Sequence, residues 1–183
     1  KAALAEVEKF TVGNDKDLDI YLAPYDVLGS LAHIKMLESV GLLTKEELQS
    51  LETALKEIYK QTETGHFKLD EGVEDIHSQV ELMLTQKLGD VGKKIHSARS
   101  RNDQVLVDLK LFLRAEIEKV VINTKELFDL LISQSEKYKD ELLPGYTHLQ
   151  LAMPSSFGLW FGAYAESLVD DLTTLEAAYK VVN

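Results

Sequence analysis

The sequence predicts an all-α fold in which a small N-terminal helical domain (residues 1–100) leads into the first long helices of a central helical bundle (residues 101–183). Three observations carry this reading. No glycine or proline interrupts the chain from Asn102 to Lys139. Over that stretch Val105, Leu109, Phe112, Leu113, Ile117, Val120, Val121, Leu127 and Leu130 make an apolar stripe too broad for an ordinary surface helix. No period-two alternation marks a strand anywhere.

Taken in order, a first helix is expected from Ala2 to Phe10, ended by the turn composition Gly13-Asn14-Asp15. Past Pro24, Val27, Leu31, Ile34 and Leu37 recur at helical spacing and Gly41 closes the element. Thr44-Lys45-Glu46-Glu47 is a capping box opening a helix with Leu48, Leu51, Leu55 and Ile58 on one face, running to about Gly65. A further helix is expected from Glu74 to Leu88, stopped by Gly89. The long helix that follows would span about 50 Å at 1.5 Å per residue and needs neighbours along its length, from this chain or from others. Pro154 and Ser155 are expected to start a second long helix, on which Gly158 and Gly162 lie one turn apart and admit close helix approach.

Composition bounds the function. The chain has 183 residues, is 45% hydrophobic and 28% charged, and carries a formal net charge of −11, which argues against nucleic acid and anionic membranes as partners. It has no cysteine, so neither a disulfide nor a thiolate metal site is available. No apolar run approaches a membrane span, and the expected location is cytoplasmic. The chain opens at Lys1 rather than methionine and stops directly out of a helical pattern at Asn183, which suggests a piece of something longer.

Against this acidic background, Lys93, Lys94, Arg99 and Arg101 put four of the 20 basic residues within nine positions. The run His96-Ser97-Ala98-Arg99-Ser100-Arg101-Asn102-Asp103-Gln104 sits where a helix starts, and unpaired amides and the positive dipole end attract anions there. Either arginine is suited to a two-pronged carboxylate contact, with Ser100 and Asn102 as neutral donors. The plainer reading is that Ser100 caps the helix, the arginines are solvated and Asn102 completes a turn. Thr147-His148 places a hydroxyl beside an imidazole suited to proton transfer; the plainer reading is a buried structural histidine. Gly29-Ser30 offers close backbone approach with an exposed hydroxyl, or simply eases helix packing. Glu74, Asp75 and His77 form either part of a site or the acidic first turn of a helix. None of the five histidines has His-x3-His or HExxH spacing, so no metal site is expected.

Three segments together resemble one family: Asp26-Val27-Leu28-Gly29-Ser30, the run from His96 to Val105, and Gly145-Tyr146-Thr147-His148-Leu149-Gln150. In order and spacing they are similar to the argininosuccinate lyases of the fumarase/aspartase superfamily, with Glu74-Asp75-Ile76-His77 matching the segment between the first two. The resemblance covers essentially the whole chain, and Arg-Ser-Arg-Asn-Asp-Gln is specific to that family rather than to the superfamily. It implies a cofactor-independent β-elimination of argininosuccinate to arginine and fumarate, in arginine biosynthesis. By position, His148 would be the acid/base partner. Ser100, Arg101, Asn102 and Thr147 would hold the substrate, Ser30 would touch its amino-acid end, and His77 would be a weaker contact. It also implies a homotetramer with active sites shared between subunits, so that His148 and Asn102 would meet across a subunit boundary.

Several departures qualify the resemblance. Ala98 stands where the family usually has glycine, and Leu151 and Met153 where many members have arginine and glutamine. The family's Gly-Ser-Ser-x-Met-Pro-x-Lys-x-Asn loop, with its proton-abstracting serine, has no match in these residues, so the chain alone is expected to be inactive. Another lyase of the superfamily, or a non-catalytic relative like the lens crystallins, are the rival readings.

Overall fold

Helix α3 (Ala23–Ser39) begins with a proline in its first turn, where a fixed φ and a missing amide cost nothing. Its inner face presents Ala23, Val27, Ile34 and Leu37, all fully buried, and with them Asp26 and Ser30. Gly41 at φ +82 ends the element, its amide and that of Leu42 closing on the carbonyls of Glu38 and Leu37. In the computed structural model, which describes residues 5–182, short helices α1 (Ala5–Thr11) and α2 (Asp15–Asp19) precede it. The expected first helix is present from Ala5; its expected start at Ala2, like the helix-ending position Asn183, lies outside the described residues.

Helix α4 (Lys45–Glu63) opens with the expected capping box: Thr44 accepts from the Glu47 amide at 3.2 Å and Glu47 accepts from the Thr44 amide at 3.0 Å. Its face of Leu51, Leu55 and Ile58 packs with α3 and with α5 (Ile76–Leu88), which contributes Ile76, Val80 and Leu84. Each fully buried Leu or Ile in that cluster is worth roughly 1.5–3 kcal/mol against exposure. Helix α5 starts two residues later than expected because Asp75 is its N-cap, accepting from the Ser78 amide at 2.7 Å. Gly89 ends it at φ +61, and a one-turn helix α6 (Asp90–Lys93) and a 3-10 turn (Lys94–His96) follow. There Gly92 lies so close to α5 that a Cβ would fall 2.4 Å from the Leu84 carbonyl oxygen.

Helix α7 (Arg101–Lys137) has the length its uninterrupted pattern predicts. The chain divides into two compact units, residues 1–112 and 113–183, and the core just described belongs to the first. In the second, α7 is followed by a hairpin of β1 (Leu142–Thr147) and β2 (Gln150–Ser156), then α8 (Phe157–Val182). The class is mostly helical as expected, but the hairpin is an addition the sequence does not announce. Pro144, Gly145 and Pro154 read as breakers, whereas here Gly145 occupies an irregularity in the register between Pro144 and Tyr146. Residues 154–156 therefore extend β2 rather than α8, and Ser156 caps α8 by accepting from the Leu159 amide at 3.1 Å.

Most of the broad stripe is uncovered: Val120, Leu127 and Leu130 are about half exposed, and among the described residues of this unit only Ser156, Gly158 and Ala165 are buried. No helix among the described residues is long and apolar enough to cross a membrane. The expected close approach at the two glycines is real at Gly158, where Ser135 Oγ donates to its carbonyl at 2.7 Å and an added Cβ would sit 2.6 Å from Lys139 Cα. At Gly162 the Cβ would meet only Ser135 Oγ, at 3.5 Å. Gly158→Val is therefore expected to lower stability by about 1–3 kcal/mol through overpacking against backbone. Gly162→Ala should be neutral or better; equal thermal midpoints for the two variants would contradict the difference.

Candidate functional site

The basic turn is built by three constraints. His33, on α3, donates from Nε2 to the Ser97 carbonyl at 2.9 Å and pins the turn against the first unit. Burial lowers the His33 pKa, only partly countered by that hydrogen bond, so the ring is a neutral tether. Lys94 reaches Glu47 at the start of α4 at 2.5 Å. Ala98 then adopts φ +55, the left-handed conformation a glycine would accept without strain. Ser100 opens α7: its amide donates to Asp103 Oδ2 at 3.2 Å and its hydroxyl accepts from the Asn102 amide at 3.2 Å. The capping role assigned to Ser100 as the plainer alternative is thus present, and Asn102 stands exposed beside it.

Both arginines have side-chain partners, although Arg101 stays 37% exposed. Arg101 donates to Asp75 Oδ1 at 2.8 Å, and Arg99 turns inward so that both terminal nitrogens reach Ser30 Oγ at 3.3 Å. Lys93 pairs with Asp90 at 2.8 Å. The cluster is therefore internally paired rather than an open anion surface. Asp75 is held below its ordinary pKa: burial alone would raise it, but the Ser78 hydrogen bonds and the Arg101 charge outweigh burial. Ser30 is fully buried, a correction to the expected exposed hydroxyl, because α3 turns this face inward. The cleft where Ser30, His77, His96, Arg99 and Arg101 converge offers about 10 Å³ to a water-sized molecule, room for one water.

Behind the cleft lies a buried network that the sequence reading did not assign. His77 Nδ1 donates to Asp26 Oδ1 at 2.9 Å and stands 3.5 Å from Asp108 Oδ2. Gln104 Nε2 donates to the same oxygen of Asp26. Asp26, His77 and Asp108 come from α3, α5 and α7, so one small group ties three helices together. Gly29 lies beside it: a Cβ there would stand 3.4 Å from Asp108 Oδ1, an ordinary contact distance. Ligating atoms of the three residues lie within 4.8 Å of one another, the atom types of a cation cage. Arg99 is already close enough to feel both carboxylates and brings the positive charge a cation would supply. We therefore read the trio as a hydrogen-bonded network. The signal for Asp108 was available: it follows Gln104 by four residues and Arg101 by seven, on one helical face.

In the second unit, Thr147 and His148 occupy the tip of the hairpin. His148 and Leu149 form a two-residue turn with φ +51 and +62, and both are exposed. Within this chain His148 is exposed rather than buried. The positive φ at two non-glycine residues is strain held at a site of interest. Of the residues singled out from sequence, the first unit brings together Ser30, His77, Ser100, Arg101 and Asn102, while Thr147 and His148 belong to the second.

Comparison with known proteins gives an independent bearing. A family model described as "Lyase" matches residues 6–183. The argininosuccinate lyases of Bacteroides fragilis and Parabacteroides distasonis are each 68% identical over 178 residues, covering 97% of this chain and 40% of those proteins. That of Thermoanaerobacter pseudethanolicus is 49% identical over 165 residues, 90% of this chain and 37% of that protein. The chain thus spans about 40% of the length of the curated relatives it matches. Among solved structures, EDDS lyase in complex with formate superposes with a TM-score of 0.78 at 24% identity, covering 100% of this chain and 36% of that one. The β-carboxy-cis,cis-muconate cycloisomerase of Acinetobacter calcoaceticus gives 0.69 at 20%, covering 87% and 38%. At these identities the likeness shows the fold alone.

The strain at Ala98 is directly testable. A Cβ in the left-handed region costs about 1–2 kcal/mol, and the extra unfolded-chain entropy of glycine returns under about 1 kcal/mol of that. Ala98→Gly should then raise the thermal midpoint by about 2–4 °C for a chain of this size. A lowered midpoint would mean the turn is not strained.

Proposed function

This chain belongs to the lyase family, and from that premise we propose that it is part of an argininosuccinate lyase, cleaving argininosuccinate to arginine and fumarate without a cofactor. The observation that carries the proposal is the 68% identity to argininosuccinate lyases over 97% of the chain. The exposed donors Ser100 and Asn102 at the start of α7 supply the local chemistry.

In this reading a base removes a proton from the carbon next to a succinyl carboxylate. Negative charge spreads onto that carboxylate, and the C–N bond to the guanidinium breaks as its nitrogen is protonated. The reaction needs donors aimed where the charge develops. Asn102 at the N-terminus of α7 would receive a carboxylate, with the positive end of a 37-residue helix behind it, and Arg101 would join it by exchanging Asp75 for the substrate. Ser100 and Thr147 add hydroxyls, while Ser30 and His77 act from inside the unit. His148, exposed at a strained hairpin tip, is the acid/base partner. The abstracting serine is assigned to sequence beyond these 183 residues, so the chain by itself is expected to be inactive.

The half-exposed stripe of α7 and α8 supports association with further helices. We assign it to a homotetramer in the cytoplasm, in which a site in one subunit draws Thr147 and His148 from another. Sedimentation velocity on the full-length protein should return a four-subunit mass; a monomer would remove the shared site.

The activity is tested by fumarate release, followed by its ultraviolet absorbance, in the full-length protein. His148→Asn is the informative variant, because asparagine tolerates the positive φ of this turn while removing the titrating ring. Loss of kcat by about 10²–10⁴-fold is expected. An unchanged rate would take His148 out of the mechanism, and absence of fumarate from the unaltered enzyme would end the lyase reading.

A further inference from the structure

The unassigned carboxyl pair behind the cleft is the feature the proposed reaction leaves unexplained. Asp108 is 1% exposed, yet neither of its oxygens has a hydrogen-bonding partner, and Asp26 Oδ2 is also orphaned. Two buried carboxylates facing each other with unpartnered oxygens are unstable when both are ionised, and a proton between them satisfies both at once. We propose that Asp108 is a positioning residue: it carries a proton shared with Asp26 across the α3–α7 contact. The resulting pair, joined to His77, holds Arg99 against Ser30. The inference deepens the lyase reading of the same site and rests on it only for what Arg99 and Ser30 are held ready to do.

The groups acting on Asp108 are Asp26 from α3, His77 from α5 and Arg99 from the turn before α7; Asp75 and Asp19 act on His77 from its other sides. With one proton on the carboxyl pair, one carboxylate charge remains, and Arg99 and the protonated His77 both face it. Burial, and then the charge of Asp26, push the Asp108 pKa up to about 7. His77 is raised as well: burial lowers it, but its hydrogen bond to Asp26 and the surrounding carboxylates outweigh burial. Both groups keep protons in the folded state that the unfolded chain gives up at lower pH. The stability the network provides is therefore present on the acid side and is lost as pH rises through about 7.

The test uses the full-length protein labelled with ¹³C at aspartate carboxyls. One Cγ resonance should move near neutral pH and be absent from Asp108→Asn. Asparagine mimics a neutral acid, so this variant should keep its thermal midpoint on the acid side, lose the fall in stability that Asp108 contributes between its ordinary value of 3.8 and about pH 7, and hold KM for argininosuccinate within about threefold of the parent. Asp108→Ala should lower the midpoint and raise KM about tenfold or more, with a smaller effect on kcat. An Asp108 resonance already in the ionised position on the acid side of neutrality would overturn the proposal. So would an asparagine variant as damaged as the alanine one, or His77 signals broadened by stoichiometric Mn²⁺, since a cation would then occupy the place assigned to the proton. If the unaltered protein releases no fumarate, the lyase reading falls, while the carboxyl titration and the order of midpoints still decide this proposal.

Discussion

The hydrogen bond from His77 Nδ1 to Asp26 Oδ1 is the constraint on which the first unit depends. It joins α5 to α3 through two side chains that are almost wholly buried, and Asp108 and Gln104 bring α7 to the same point. Burying such groups is unfavourable unless they are mutually satisfied. Nearby, Gly92 lets the turn that follows lie flush on α5. The apolar cluster of Val27, Ile34, Leu51, Leu55 and Ile76 supplies the stabilisation against which this polar group is held.

The basic turn follows from that arrangement. Once α3 and α5 are fixed, His33 can anchor Ser97, Ser30 can receive Arg99, and Asp75 can serve both as the cap of α5 and as the partner of Arg101. A cluster that reads in one dimension as four loose cations is in three dimensions a set of paired groups. The exposed donors left at the start of α7 are Ser100 and Asn102, close to the end of the helix that favours negative charge.

The second unit is organised on a different principle. Gly158 brings the backbone of α8 against that of α7, and the hairpin ends in a two-residue turn with positive φ at His148 and Leu149. Little of its apolar surface is covered, in contrast to the first unit. Rigid local geometry with an open apolar face is what a helix pair completed by other helices requires.

The order of the elements, the helical class, the Thr44 capping box, the stops at Gly41 and Gly89 and the uninterrupted length of α7 were legible in the chain, because each depends on residues within a turn or two of one another. So was the strain at Ala98, which a single departure from a family pattern exposes. The hairpin was not legible, since Pro144, Gly145 and Pro154 suggest breaks locally and become strand residues only when paired. Nor were the burial of Ser30, the pairing of Arg99 and Arg101, and the roles of Asp26 and Asp108. Those depend on contacts between residues 26 to 78 positions apart in sequence, and such contacts exist only after the hydrophobic core has chosen which helix faces meet.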